Sequence, residues 1–195
     1  MIRIRDVLAA TAVLAVCAQP AIAGADVAAP ALVLSVEDVR AIAGNADLSP
    51  GPSSGQPVGQ HQYDAQYPGE CHAVFNQDDA FASGFTQFHT VTYTGPANRS
   101  VTQAVAVYPG SADARSALTR LGKQLTACSQ LPSSNMTITT QVLDSKTFAV
   151  CQAQCSTIYR AVGPVLIGVD ASRFGDSDRI ATAVLAQITG RADAA

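Results

Sequence analysis

The chain has 195 residues, of which 48% are hydrophobic and only 14% charged, and its formal net charge is -3. That balance lacks the clustered Lys and Arg of a nucleic-acid binder and any acidic tail, so no nucleic-acid partner is expected. The length suits one domain with a true core and is too short for two comfortable ones.

Arg3 and Arg5 precede an apolar run over residues 7–16, and small residues stand at Ala21 and Ala23. This is the pattern of a secretory signal peptide over residues 1–23, cleaved after Ala23, with an apolar run too short to span a bilayer. Leu14, Ala15, Val16 and Cys17 also resemble a lipobox, although a small residue is normal where Val16 stands, so the alternative is a lipoprotein anchored through Cys17. No transmembrane segment is expected in the mature chain, which is read as secreted or held in the cell envelope. Cys71, Cys128, Cys151 and Cys155 then remain, an even number in an oxidising compartment. Two disulfides are the default, with three possible connectivities.

Residues 24–34 are rich in Ala and Pro and read as a flexible lead to a single domain over residues 35–190, with 191–195 as a tail. A short helix follows, with Ser35 as N-cap, Glu37 and Asp38 in its first turn and Gly44 as its stop. Residues 45–69, with repeated Pro, Gly, Ser and Gln, read as a long surface connection. It contains Gly51-Pro52-Ser53-Ser54-Gly55, a literal GxSxG match to a hydrolase nucleophile elbow. An elbow needs a buried strand before it and a helix after it, and Pro and Gly flank this one on both sides.

Residues 71–75 begin the packed body, 76–79 form a turn, and 85–93 read as a strand in which His89 shares a face with Val91 and Tyr93. The stretch from Val101 to Cys128 organises the rest. Val101, Gln103, Val105 and Val107 alternate with Ala104, Ala106 and Tyr108, so both faces are largely apolar and the strand is expected to be central. Pro109 and Gly110 end it, and Ser111 is a plausible N-cap for a helix that stacks Leu118, Leu121, Leu125 and Cys128 on one face. Beyond it, residues 136–143 and 147–151 read as a hairpin turned at 144–146, followed by strands over 157–162 and 165–171. A loop over 170–178 leads to a closing amphipathic helix that carries Ile180, Val184, Leu185 and Ile188 and ends at Gly190. Sequential strands joined by short turns pair antiparallel and amphipathic helices bury their stripes against them, so the fold class is α+β: an antiparallel β-sheet packed with amphipathic helices and stabilised by disulfides.

His61, His72 and His89 fit no zinc-ligand spacing, and no paired acid and base or supported nucleophile is evident, so neither metal, cofactor nor catalytic residue is expected. Polar residues interrupting apolar strands are the ligand-binding candidates: His89 and Tyr93 on one strand, Tyr159 and Arg160 on another.

With these pieces in order, the chain resembles the PknH-like extracellular sensor domain family, found at the outer end of a mycobacterial serine/threonine kinase and as stand-alone exported proteins and lipoproteins. The residues that carry the resemblance are LSVEDVRAIAG near the start, PGEC at Cys71, VTQAVAVYPGSADARSAL, and CSTIYRAVGPVLIGVDAS before the last helix. The resemblance implies an antiparallel sheet with helices, a groove proposed to bind a small ligand, and disulfides. It also favours joining Cys71 to Cys128 and Cys151 to Cys155, the second of which requires residues 152–154 to turn. Leu125 stands where the family usually has tryptophan, and Ser172 where it has a fourth cysteine. The expected function is that of an exported, non-enzymatic sensor-like domain that binds a small ligand in the cell envelope. The alternatives are a module docking to another envelope protein, or a secreted serine hydrolase using Ser53.

Overall fold

The computed structural model describes residues 28–131, 137–152, 154 and 156–195. The signal peptide and cleavage site expected from the sequence, and Cys17, lie outside the described residues.

Seven strands form one antiparallel sheet: β1 (Ser49–Ser54), β2 (Gln87–Thr94), β3 (Ser100–Val107), β4 (Thr139–Asp144), β5 (Thr147–Cys151), β6 (Thr157–Val162) and β7 (Val165–Ser172). Their spatial order is β1-β2-β3-β7-β6-β5-β4. The sheet is thus two meanders joined where β3 pairs with β7, and helix α4 (Ser111–Ser129) carries the chain from the centre to the far edge. As its alternation predicts, β3 is central and largely apolar on both faces.

One face of the sheet packs against α1 (Ala29–Leu32), α2 (Val36–Ala43) and α5 (Ser177–Asp193), through Val105, Ile167, Val169, Ile180, Val184 and Ile188 among others. On the opposite face α4 and α3 (Gln77–Phe81) lie over Ala104, Ala106, Phe148 and Leu166, and the helical stripe of Leu118, Leu121, Leu125 and Cys128 is buried as its spacing predicts. Cys128 in the last turn of α4 is joined to Cys71 in the 3-10 segment Gly69–Val74, so that segment is tethered to the helix. Cys155 lies outside the described residues, and with it the pairing expected for Cys151.

Local chemistry accounts for α2 closely. Ser35 accepts from the Asp38 backbone N–H while the Asp38 carboxylate accepts from that of Ser35, and Gly44 closes the helix at φ 58°.

Four segments differ from the sequence reading. Residues 28–34 are packed rather than a flexible lead: Ala29, Leu32 and Leu34 are buried, the Gln103 amide bonds both the N–H and the C=O of Leu34, and the Tyr93 hydroxyl donates to the same carbonyl at 2.8 Å. Pro30 is tolerated because the first turn of α1 needs no donor there. The surface connection contains β1, whose Pro50 and Pro52 are accommodated because this is an edge strand broken by a bulge. Residues 77–81 form α3 instead of a turn. Finally, α5 runs through Gly190 to Asp193, because Arg191 anchors its end on Asp38 at 2.9 Å and on the Val33 carbonyl.

Candidate functional site

The face beneath α4 is not covered along its whole length. Sheet register aligns Val150 with Thr157, Thr157 with Asp170, Asp170 with Thr102, and Thr102 with Thr92. These residues form one row across five strands, and four of the five are polar. The next row towards α4 runs through Phe148, Tyr159, Gly168 and Ala104, is largely apolar over those four strands, and ends on Thr90 of β2. The boundary is sharp because Gly168 has no Cβ: one placed there would lie 2.9 Å from the Tyr159 ring and 3.0 Å from Phe81. The Tyr159 ring therefore lies across β7 and closes the apolar layer at the groove's end.

The polar row floors a groove of about 430 Å3, whose wall comes from residues 58–60 and 73–77. That volume suits a small molecule. Hydrogen bonds fix the wall to itself and to the sheet. Asn76 is buried and accepts from the Gln60 N–H at 2.7 Å while donating to Asp64 and Asp79. Gln77 accepts from the Val58 N–H and donates to Thr90 on β2 at 3.0 Å. Outside the wall, the two ring nitrogens of His61 lie 2.9 Å from Asp64 and 3.1 Å from Asp78. The hydrogen bond to Asp64 first, then the charge of Asp78, holds the His61 pKa above its ordinary 6.5, and the same bond lowers that of Asp64.

Asp170 occupies the centre of the floor. Its Oδ1 accepts from the Thr157 hydroxyl at 2.6 Å and its Oδ2 from the Ser172 hydroxyl at 2.7 Å. Burial raises its pKa, and these two bonds oppose the rise. Part of its surface remains open to the groove even though protein surrounds most of it. Burial also raises the Tyr159 phenol well above its ordinary value, so the ring presents a neutral face.

Of the four sequence candidates, Tyr159 lines this groove. His89 and Tyr93 project from the opposite side of β2, where Tyr93 ties down residue 34 and His89 Nε2 lies 3.4 Å from the Ser53 hydroxyl. Arg160 sits between Asp144, at 2.9 Å, and the Thr147 hydroxyl. Sequence reasoning missed Thr92, Thr102, Thr157, Asp170 and Ser172. The signal was present in β7, where Gly168, Asp170 and Ser172 alternate with Ile167, Val169 and Ala171, but residues 170–178 read as a loop.

Ser53 lies exposed within edge strand β1, and the buried strand and following helix of a nucleophile elbow are not built around it. A second cleft of about 440 Å3, between α4 and the β4–β5 hairpin, is lined by Leu118, Gly122, Lys123, Val142 and Phe148. Among the described residues there is no cluster of His, Cys, Asp and Glu able to hold a metal ion, and no helix long and apolar enough to cross a membrane.

No curated protein matches the chain in sequence. Among solved structures, it is similar to the extracellular domain of PknH from Mycobacterium tuberculosis, with a TM-score of 0.63 at 17% identity, over 85% of this chain and 95% of that one. At that identity the likeness concerns the fold. The sequence itself matches the PknH-like extracellular domain over residues 25–191, nearly all of the chain beyond its first two dozen residues. The chain therefore belongs to the PknH-like extracellular domain family.

Proposed function

We propose that this protein is an exported, non-enzymatic sensor-like module of the cell envelope, and that it binds a small ligand in the groove floored by Thr92, Thr102, Asp170 and Thr157. The observation that carries the reading is a row of polar side chains set in largely apolar sheet surface and left uncovered by the helix that buries much of the rest of that face. Core packing gives no reason to place four polar groups there, and a ligand supplies one. The test is a small-molecule screen followed by two-dimensional amide NMR. Saturable shifts centred on Thr102, Thr157 and Asp170 are expected; hits that move only residues remote from the groove would overturn the assignment.

A second reading, docking to another envelope protein, draws on Val142 and Leu143, which are 73% and 48% exposed on edge strand β4. It requires cross-links from that strand to an envelope component and their loss in Val142→Glu. The hydrolase reading draws on the Ser53 and His89 contact and requires labelling of Ser53 by a fluorophosphonate probe.

A further inference from the structure

We propose that the groove selects its ligand by a protonated amine seated against Asp170. The inference rests on the groove being the ligand site and adds the chemical class that it takes.

Asp170 is the one charged side chain among the described residues lining the groove. Asp38, Asp64, Asp78, Asp144 and Asp176 each lie beside an Arg or His, whereas no described Lys, Arg or His pairs with Asp170. Asp47, Asp113 and Asp178 also have no ion pair but are exposed to water, whereas Asp170 has none where protein surrounds most of it.

Its hydrogen bonds set the polarity of the floor. A hydroxyl has one proton to give, and Thr157 and Ser172 both give theirs to Asp170. What they turn towards the groove is lone pairs. The two hydroxyls that flank the carboxylate therefore present acceptors, while the Thr92 and Thr102 hydroxyls, 3.0 Å apart, keep one proton between them to give. The group that complements Asp170 and its two partners carries several donors and a positive charge. An ammonium, with three donors and a compact charge, satisfies both conditions, whereas a carboxylate or phosphate would meet repulsion from Asp170 and no donor from the Thr157 and Ser172 hydroxyls. Beside it, Val58, Val150 and the Tyr159 ring supply apolar surface for the body of the ligand, and an aromatic face favours a neighbouring cation.

Burial disfavours the ionised form of Asp170, and a bound cation reverses that effect, so amine binding and Asp170 ionisation are coupled. The neighbours facing it are uncharged: Thr102 from β3, Thr157 and Tyr159 from β6, Ser172 from β7, and Gln60, Asn76 and Gln77 from the wall. The titrating groups behind the wall are His61, His72, Asp64, Asp78 and Asp79.

Cyclohexylamine and cyclohexanol have nearly the same shape and differ in charge, and both can be titrated into the exported chain with amide NMR as the readout. At neutral pH the amine is expected to shift Thr102, Thr157, Asp170 and Ser172 saturably, with a preference over the alcohol of about tenfold or more, corresponding to roughly 1.4 kcal/mol. That preference is lost as pH falls through the titration of Asp170, and it is lost at neutral pH in Asp170→Asn, which keeps the shape and removes the charge. Equal binding of amine and alcohol to the wild-type groove would overturn the amine assignment while leaving the groove as the site. An amine preference that survives in Asp170→Asn would overturn it as well, and groove resonances unmoved by either probe would overturn both readings. The pH comparison uses wild-type protein alone, so the test stands even if Asp170→Asn fails to fold.

Discussion

Replacing Cys71 and Cys128 together by Ala tests how the groove wall is held. The two cysteines are 57 residues apart in sequence, and closing a loop of that size restricts the unfolded chain by about 4 kcal/mol at 25 °C in the chain-entropy view. Both sites are fully buried, so the vacated sulfur positions cost roughly another 1 to 2 kcal/mol in lost packing. The double variant is thus expected to lose about 5 to 6 kcal/mol, which for a domain of this size lowers Tm by roughly 10 to 24 °C. Substitution is preferable to a reductant, which would act on every disulfide in the chain. Urea unfolding followed by circular dichroism gives both numbers needed: the midpoint falls, and the m-value rises, because an untethered unfolded chain exposes more surface. A loss below about 1.5 kcal/mol with an unchanged m-value would refute the argument, because the unfolded chain would then not be what the bond constrains. The bond also bears on the site, since the segment it fixes to α4 leads directly into the wall at residues 73–77.

Other consequences can be measured on the same material. Gly168→Ala should destabilise the fold by about 1 to 3 kcal/mol in urea titration, because Tyr159 and Phe81 both occupy the space a methyl needs; an unchanged midpoint would show that those rings yield freely. Gly122→Ala should do the opposite and raise stability by up to about 1 kcal/mol, since the new methyl meets Phe148 at an ordinary 3.6 Å and the helix interior gains a better former. His61 should titrate above 6.5 by NMR, and Asp64→Asn should lower that value. Its folded-state pKa is raised, so the stabilisation is complete below pH 6.5 and disappears as pH rises through the folded value; a stability profile improving across that interval in wild type but not in His61→Ala would contradict it. For Asp170 the sign is reversed from the usual carboxylate: its folded pKa is raised, so ionisation costs stability as pH climbs above 3.8, and Asp170→Asn should lose less stability than wild type between acid and neutral pH. Parallel profiles for the two proteins would remove the electrostatic cost inferred for Asp170.

Local chemistry, legible residue by residue, determined much of this protein. The capping box at Ser35 and Asp38, the Gly44 stop, the leucine stripe of α4 and the two-faced alternation of β3 depend on neighbours within a few positions, and each stands where periodicity put it. The antiparallel α+β class follows from the same elements, because short turns leave consecutive strands no other way to pair. Tertiary structure decided the rest. Residues 28–34 contain little local order and are fixed by Gln103 and Tyr93, which lie roughly 60 to 70 positions away. Arg191 extends α5 past a glycine that would otherwise end it by reaching Asp38. The candidate site is the clearest case. Thr92, Thr102, Thr157 and Asp170 come from four strands, and only their register places them in one row with a carboxylate at its centre. A side chain's chemistry is written in the sequence, but its neighbours across a sheet are set by strand order, which here joins the middle of the chain to its end.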